Sequence, residues 1–108
     1  MKRDLDLCRG ILLEVEAGKA VLQQHVSVAG FSNQQVMYHL LLLVDAGLMT
    51  QQDGCFRLTW SGHEFLDSAR EDGRWQRAKG VIEKAGGATF EVLKGVLVDL
   101  LKKHIGIS

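Results

Sequence analysis

Proline is absent from the 108 residues, and so are internal repeats and low-complexity tracts. With no stretch of linker composition, residues 1–108 are expected to form one domain, long enough to bury roughly two-thirds of the surface its unfolded chain exposes. Cysteine is scarce. Cys8 and Cys55 stand in unrelated contexts with no CxxC spacing, so neither a disulfide framework nor a thiolate zinc site is expected. Net charge is nil, 13 Lys and Arg against 13 Asp and Glu, and the long-range pull that draws a basic domain to nucleic acid is missing. No apolar run approaches the length of a membrane span. Met1 leads directly into charged Lys2, Arg3 and Asp4 rather than a secretory leader, so both thiols are expected reduced, in a cytoplasmic protein.

Positive charge is also locally missing. No lysine or arginine occurs between Lys19 and Arg57, and residues 20–56 carry only Asp45 and Asp53, whereas Arg70, Arg74, Arg77, Lys79 and Lys84 gather downstream.

Periodicity supplies the elements. Asp4 is placed to cap a first helix whose Leu5, Cys8, Ile11, Leu12 and Val15 share a face, with Gly18 ending it. Over residues 20–29, Leu22, Val26 and Val28 alternate with Gln23, His25 and Ser27. The β-branched density favours a strand, with a short helix as the alternative. Ser32 caps the next helix, Val36, Leu40, Leu43 and Val44 form its apolar stripe, and Gly47 closes it. Asp53-Gly54 between residues 48–52 and 55–59 predicts a two-residue type I′ hairpin. Thr59 or Ser61 caps a further helix, Ser61 having Glu64 at capping-box spacing. A helix around Trp75, Ala78, Val81 and Ile82 ends at Gly86-Gly87, and Thr89 caps a last one with Phe90, Leu93, Leu97, Leu100 and Leu101 on one side.

Helix, strand or short helix, recognition-type helix, hairpin and helix is the order of a winged-helix core, here over 1–72, followed by a C-terminal helical extension over 74–108. The fold class is therefore α+β. Gly30-Phe31-Ser32, Val36, His39-Leu40, Leu43 and Gly47-Leu48 resemble the third helix of winged-helix repressors. Longer blocks carry a second resemblance. MKRDLDL at the start, YHL and DAGL within 38–48, RLTWSGHEFLDSAR at 57–70, Trp75 and ATFEVLK near the end resemble domain of unknown function 2513. The resemblance implies a winged-helix-like bacterial family often encoded by phages and prophages, and it carries over no catalytic residues.

A winged helix that reads DNA needs phosphate contacts for affinity and base contacts for discrimination. At about 100° per residue, Gln34, Gln35, Tyr38, Leu41, Leu42 and Asp45 lie opposite the stripe of the central helix. Gln34 and Gln35 can pair with adenine edges. The extra leucines, however, make the helix apolar nearly all round, which calls for a second packing partner. The leading expectation is thus a non-enzymatic protein-interaction or self-associating module. Its interface candidates are Tyr38, Leu41 and Leu42, with Val96 and Val98 on the last helix. The alternative is a DNA-binding regulator using Ser32, Asn33, Gln34, Gln35, Tyr38 and Arg57, or the downstream set Arg70, Arg74, Arg77 and Lys79. Glu71, Asp72 and Glu83 share that segment, and a salt-bridged helix face explains it more simply.

Hidden chemistry finds little support. His63 and Asp67 stand at i,i+4 without a third ligand at a recognisable spacing, so no metal or other cofactor is expected. Cys8 lies on an apolar face and Cys55 has no base beside it. Trp60, Trp75, Phe65 and Phe90 fall on apolar faces of the expected helices or at their starts, where core packing accounts for them.

Overall fold

The computed structural model describes residues 2–18, 20–84 and 90–104. The element order is α1 (Leu5–Gly18), β1 (Ala20–Leu22), a 3₁₀ turn (Gln23–His25), α2 (Asn33–Asp45), β2 (Met49–Gln52), β3 (Cys55–Leu58), α3 (Trp60–Ala69), α4 (Asp72–Lys84) and α5 (Phe90–His104). It is an α+β chain, mostly helical. Two compact units, 1–66 and 67–108, divide it inside α3.

In the first unit, the Asp4 carboxylate accepts the Leu7 N–H at 3.0 Å and so caps α1 as expected. Leu7, Cys8, Ile11, Leu12 and Val15 are fully buried, the four aliphatic side chains each contributing roughly 1.5–3 kcal/mol of transfer free energy. Helix α1 packs against α2, β1 and β3. The three strands form an antiparallel sheet in the order β1-β3-β2. Residues 20–29 thus hold both of the structures weighed for them. A strand covers Ala20–Leu22, and the chain then tightens into one 3₁₀ turn. The half-buried alternation extrapolated from Leu22 does not hold there, since that side chain is 39% exposed while Val26 is buried.

Hairpin β2-β3 pairs Gln52 with Cys55, leaving a two-residue turn. Asp53 and Gly54 both take positive φ, 53° and 79°, as a type I′ turn requires. Gly47, at φ 78°, ends α2 in a Schellman motif: Leu48 N–H donates to Leu43 O and Gly47 N–H to Val44 O, both at 3.0 Å. Of the two residues considered as the cap of α3, Thr59 holds the position. Its hydroxyl accepts the Gly62 N–H at 3.0 Å and donates to Gly47 O at 2.6 Å, while Ser61 lies inside the helix.

The second unit is built around α4 and α5, which pack together. Trp75, Ala78, Ile82, Leu93 and Leu97 are buried, whereas Val81, expected on the buried face, is 49% exposed. Helix α4 begins at Asp72, ahead of Gly73, because the Glu71 carboxylate accepts both the Gly73 and Arg74 N–H groups at 2.8 Å. Those two backbone donors, Arg74 first, hold the Glu71 carboxyl below its ordinary range. The expected helix stop at Gly86-Gly87 and cap at Thr89 lie outside the described residues.

Candidate interaction surface on helix α2

Helix α2 owes its start to a reciprocal cap. Gln35 N–H donates to the Ser32 hydroxyl at 3.1 Å, and Ser32 N–H donates to the Gln35 side-chain oxygen at 2.8 Å. Val36, His39, Leu40 and Leu43 turn inward. His39, only 1% exposed, ties α2 to the start of α1: Asp4 N–H donates to its Nε2 at 2.8 Å, and its Nδ1 lies 2.7 Å from Gln35 O. Since Nε2 accepts, Nδ1 carries the proton and donates. The outward face of the helix is thereby fixed in rotation.

On that face Tyr38 is 39% and Leu41 41% exposed. With Gln23, Asn33, Gln34 and Met37 they line an open groove of about 460 Å³. A smaller depression of about 200 Å³ adjoins it, lined by Gln23, Gln24, Val26, Asn33 and Val36. Neither set contains a charged residue. The Tyr38 and His39 rings meet in a T-shaped arrangement, centroids 5.6 Å apart at 77°, which anchors the tyrosine ring against the helix. Leu42 is half-buried, as are Val96 and Val98 on α5. Two interface candidates therefore converge on one groove, while Val96 and Val98 lie in the other unit.

The DNA-contact candidates fare unevenly. Asn33 and Gln34 are exposed at the start of α2. Ser32 and Gln35 are engaged in the cap, which withdraws Gln35 from the base-reading role considered for it. The sequence signal for this was present, since Ser32 and Gln35 stand at capping-box spacing. Arg57 is exposed, its guanidinium 3.4 Å from Leu58 O. It borders a depression of about 230 Å³ with Thr50, Gln52, Asp53 and Cys55.

In the second unit Arg70 pairs with Asp67 at 3.1 Å. Arg74, expected on a solvated basic face, is instead 6% exposed. Its Nε donates to Ser68 O at 2.7 Å and a terminal nitrogen reaches Asp67 O at 3.3 Å, so it serves the last carbonyls of α3. Arg77 is exposed and Lys79 half-buried.

Trp60 departs from its expected place in the core, for it is 81% exposed. Projection at about 100° per residue sets it roughly 180° from Ala69, 140° from Phe65 and 120° from Leu66, and those three are buried. The signal was in the sequence once Thr59 was taken as the cap. The groups weighed for chemistry are quiet. Burial pushes the Cys8 thiol up to about 12. Cys55 is half-buried. His63 Nδ1 lies 3.9 Å from a Glu16 carboxylate oxygen, and among the described residues no three His, Cys, Asp or Glu side chains cluster as a metal would need. No helix among them is long and apolar enough to cross a membrane.

A protein of Haemophilus influenzae described as uncharacterized is 32% identical over 117 residues, spanning 97% of this chain and 99% of its own length. Residues 2–88 match the family described as hypothetical protein DUF2513, which takes in both α2 and the hairpin. The chain belongs to the DUF2513 family.

Proposed function

We propose that the chain is a non-enzymatic, winged-helix-like interaction or regulatory protein that acts in the cytoplasm by binding protein through the outer face of α2. By family resemblance it works in a phage or prophage setting. The element order supports the winged-helix assignment. A helix precedes a strand, the 3₁₀ turn at Gln23–His25 stands where a short second helix would, α2 takes the recognition position, and β2-β3 is the wing. In this scheme α4 and α5 are the C-terminal extension.

The observation that carries the function is the groove itself, apolar at its centre and uncharged throughout. Phosphate-driven affinity needs cations around the recognition helix, and residues 20–56 supply none. Exposed tyrosine beside exposed leucine suits a protein contact. The raised Cys8 thiol is a poor nucleophile and supports a non-enzymatic role. Asn33 and Gln34, exposed at the head of α2, favour DNA reading as the second possibility, without the phosphate contacts it requires.

A photo-crosslinking residue placed at Leu41 tests the proposal in cells. Protein adducts are expected from that position and not from Glu14, which is exposed on α1. Adducts to DNA alone, or equal adducts from both positions, would overturn it.

A further inference from the structure

Asp4 caps α1 twice over, its carboxylate accepting the Leu7 N–H at 3.0 Å and its carbonyl the Cys8 N–H at 3.1 Å. In a capping box the third helical residue accepts the N-cap N–H in return. That residue here is Leu7, which has no side-chain acceptor. His39 supplies one from α2, 35 positions on, where its Nε2 accepts the Asp4 N–H at 2.8 Å. We infer that this shared cap is an acid-operated latch: when the His39 imidazole takes up a proton at Nε2, the first turn of α1 lets go of α2 while the rest of the fold stands.

The reason lies in the count of donors and acceptors. Nδ1, 2.7 Å from Gln35 O, already carries the proton of the neutral ring, so Nε2 is the site for a second. A protonated Nε2 is a donor, and it would face another donor, the Asp4 N–H, at hydrogen-bonding distance. The link and the proton exclude each other. The added charge would also sit at the start of α1, the positive end of that helix, where a cation is unfavourable. Relief comes from the Asp4 side, because Gln35 O belongs to α2 itself.

The neighbouring groups leave this logic intact. On α1 the Asp4 carboxylate is taken up by the Leu7 N–H, Asp6 is exposed, as is Arg3 ahead of it, and the buried Cys8 thiol, pushed up to about 12, stays uncharged in acid. On α2 the Tyr38 ring meets the imidazole, and Asp45 stands exposed at the far end of the helix. Strand β2, which also packs on α2, has no ionisable side chain. The link is therefore present while His39 is neutral and is lost as pH falls.

NMR of the full chain during an acid titration tests the latch, with histidine ring nitrogens and backbone amides followed together. At neutral pH His39 is expected as the Nδ1–H tautomer. On acidification its ring and the amides of Asp4, Leu7 and Cys8 should shift with a shared midpoint, and the Asp4 N–H should lose its protection from hydrogen exchange. The amides of β2 and β3 should hold their positions through that step. Asp4→Asn keeps the backbone donor and a cap acceptor but has no carboxyl to titrate, and His63→Gln removes the histidine 3.9 Å from Glu16 at the other end of α1. The step should survive both changes, whereas His39→Gln should abolish it. An Nε2–H tautomer at neutral pH, Asp4 and Leu7 amides that ignore the protonation of His39, or a step lost in either control overturns the inference. So does a His39 that takes its proton only as β2 and β3 unfold.

Discussion

Replacing Gly62 by alanine sets two effects of opposite sign against each other. Helix propensity alone favours alanine by about 1 kcal/mol. The added Cβ, however, would lie 2.0 Å from Leu48 O, 3.0 Å from Leu48 C and 3.3 Å from the Leu58 side chain. Relief requires α3 and the start of β2 to separate by more than about 1 Å to restore ordinary contact distance. Two hydrogen bonds across that gap resist the movement, Thr59 N–H to Leu48 O and Thr59 hydroxyl to Gly47 O, and Gly62 N–H is itself tied to the same hydroxyl. At roughly 0.5–1.5 kcal/mol each, with overpacking strain of about 1–3 kcal/mol, the clash outweighs the propensity gain. Net destabilisation of about 2–4 kcal/mol is expected from urea unfolding followed by circular dichroism. Gly80→Ala is the control, since the same Cβ in the middle of α4 meets nothing within 4 Å. It should stabilise the chain by up to about 1 kcal/mol. A Gly62→Ala protein as stable as wild type would refute the close packing of α3 on Leu48.

Four further outcomes follow. Ser32→Ala should lower stability by about 1 kcal/mol through loss of the α2 cap, read as a lower urea midpoint with unchanged slope. Trp60→Ala should change stability by less than about 0.5 kcal/mol, whereas Trp75→Ala should lose about 3–5 kcal/mol, and Trp60 should dominate fluorescence quenching by acrylamide. Arg74→Met should cost about 2–4 kcal/mol by leaving α3 carbonyls without their donor, a loss that a solvated Arg74 would not show in the same unfolding assay. The Cys8 thiol is raised in the folded chain from 9.0 to about 12, so its contribution is fully present below pH ~9 and lost as pH climbs toward ~12, about 4 kcal/mol at most. Subtracting the pH–stability curve of Cys8→Ala should isolate that alkaline fall; parallel curves would contradict the burial.

Much of the first unit was legible because its signals are local. Asp4, Ser32, Gly47 and Asp53-Gly54 fix element ends through backbone geometry and short-range hydrogen bonds, and each acts as its residue type predicts. Residues 20–29 were ambiguous because the strand there depends on pairing with β3, some 35 positions on in the chain. The role of His39 was hidden for the same reason: its partner is the Asp4 backbone, which no periodicity reveals. Arg74 was misplaced because charge pattern predicts exposure, while the unfilled carbonyls at the end of α3 draw the guanidinium inward. Tyr38 and Leu41, set opposite the buried stripe by helical projection, do lie exposed on α2, whereas Leu42, placed on the same face, is half-buried.

Amide-resolved NMR of the wild-type chain titrated with duplex DNA at low salt tests most directly whether α2 reads nucleic acid. Signals of Asn33, Gln34, Met37, Tyr38 and Leu41 should stay unmoved when the duplex is added. Signals that move saturably with duplex would contradict the account and place DNA on the helix.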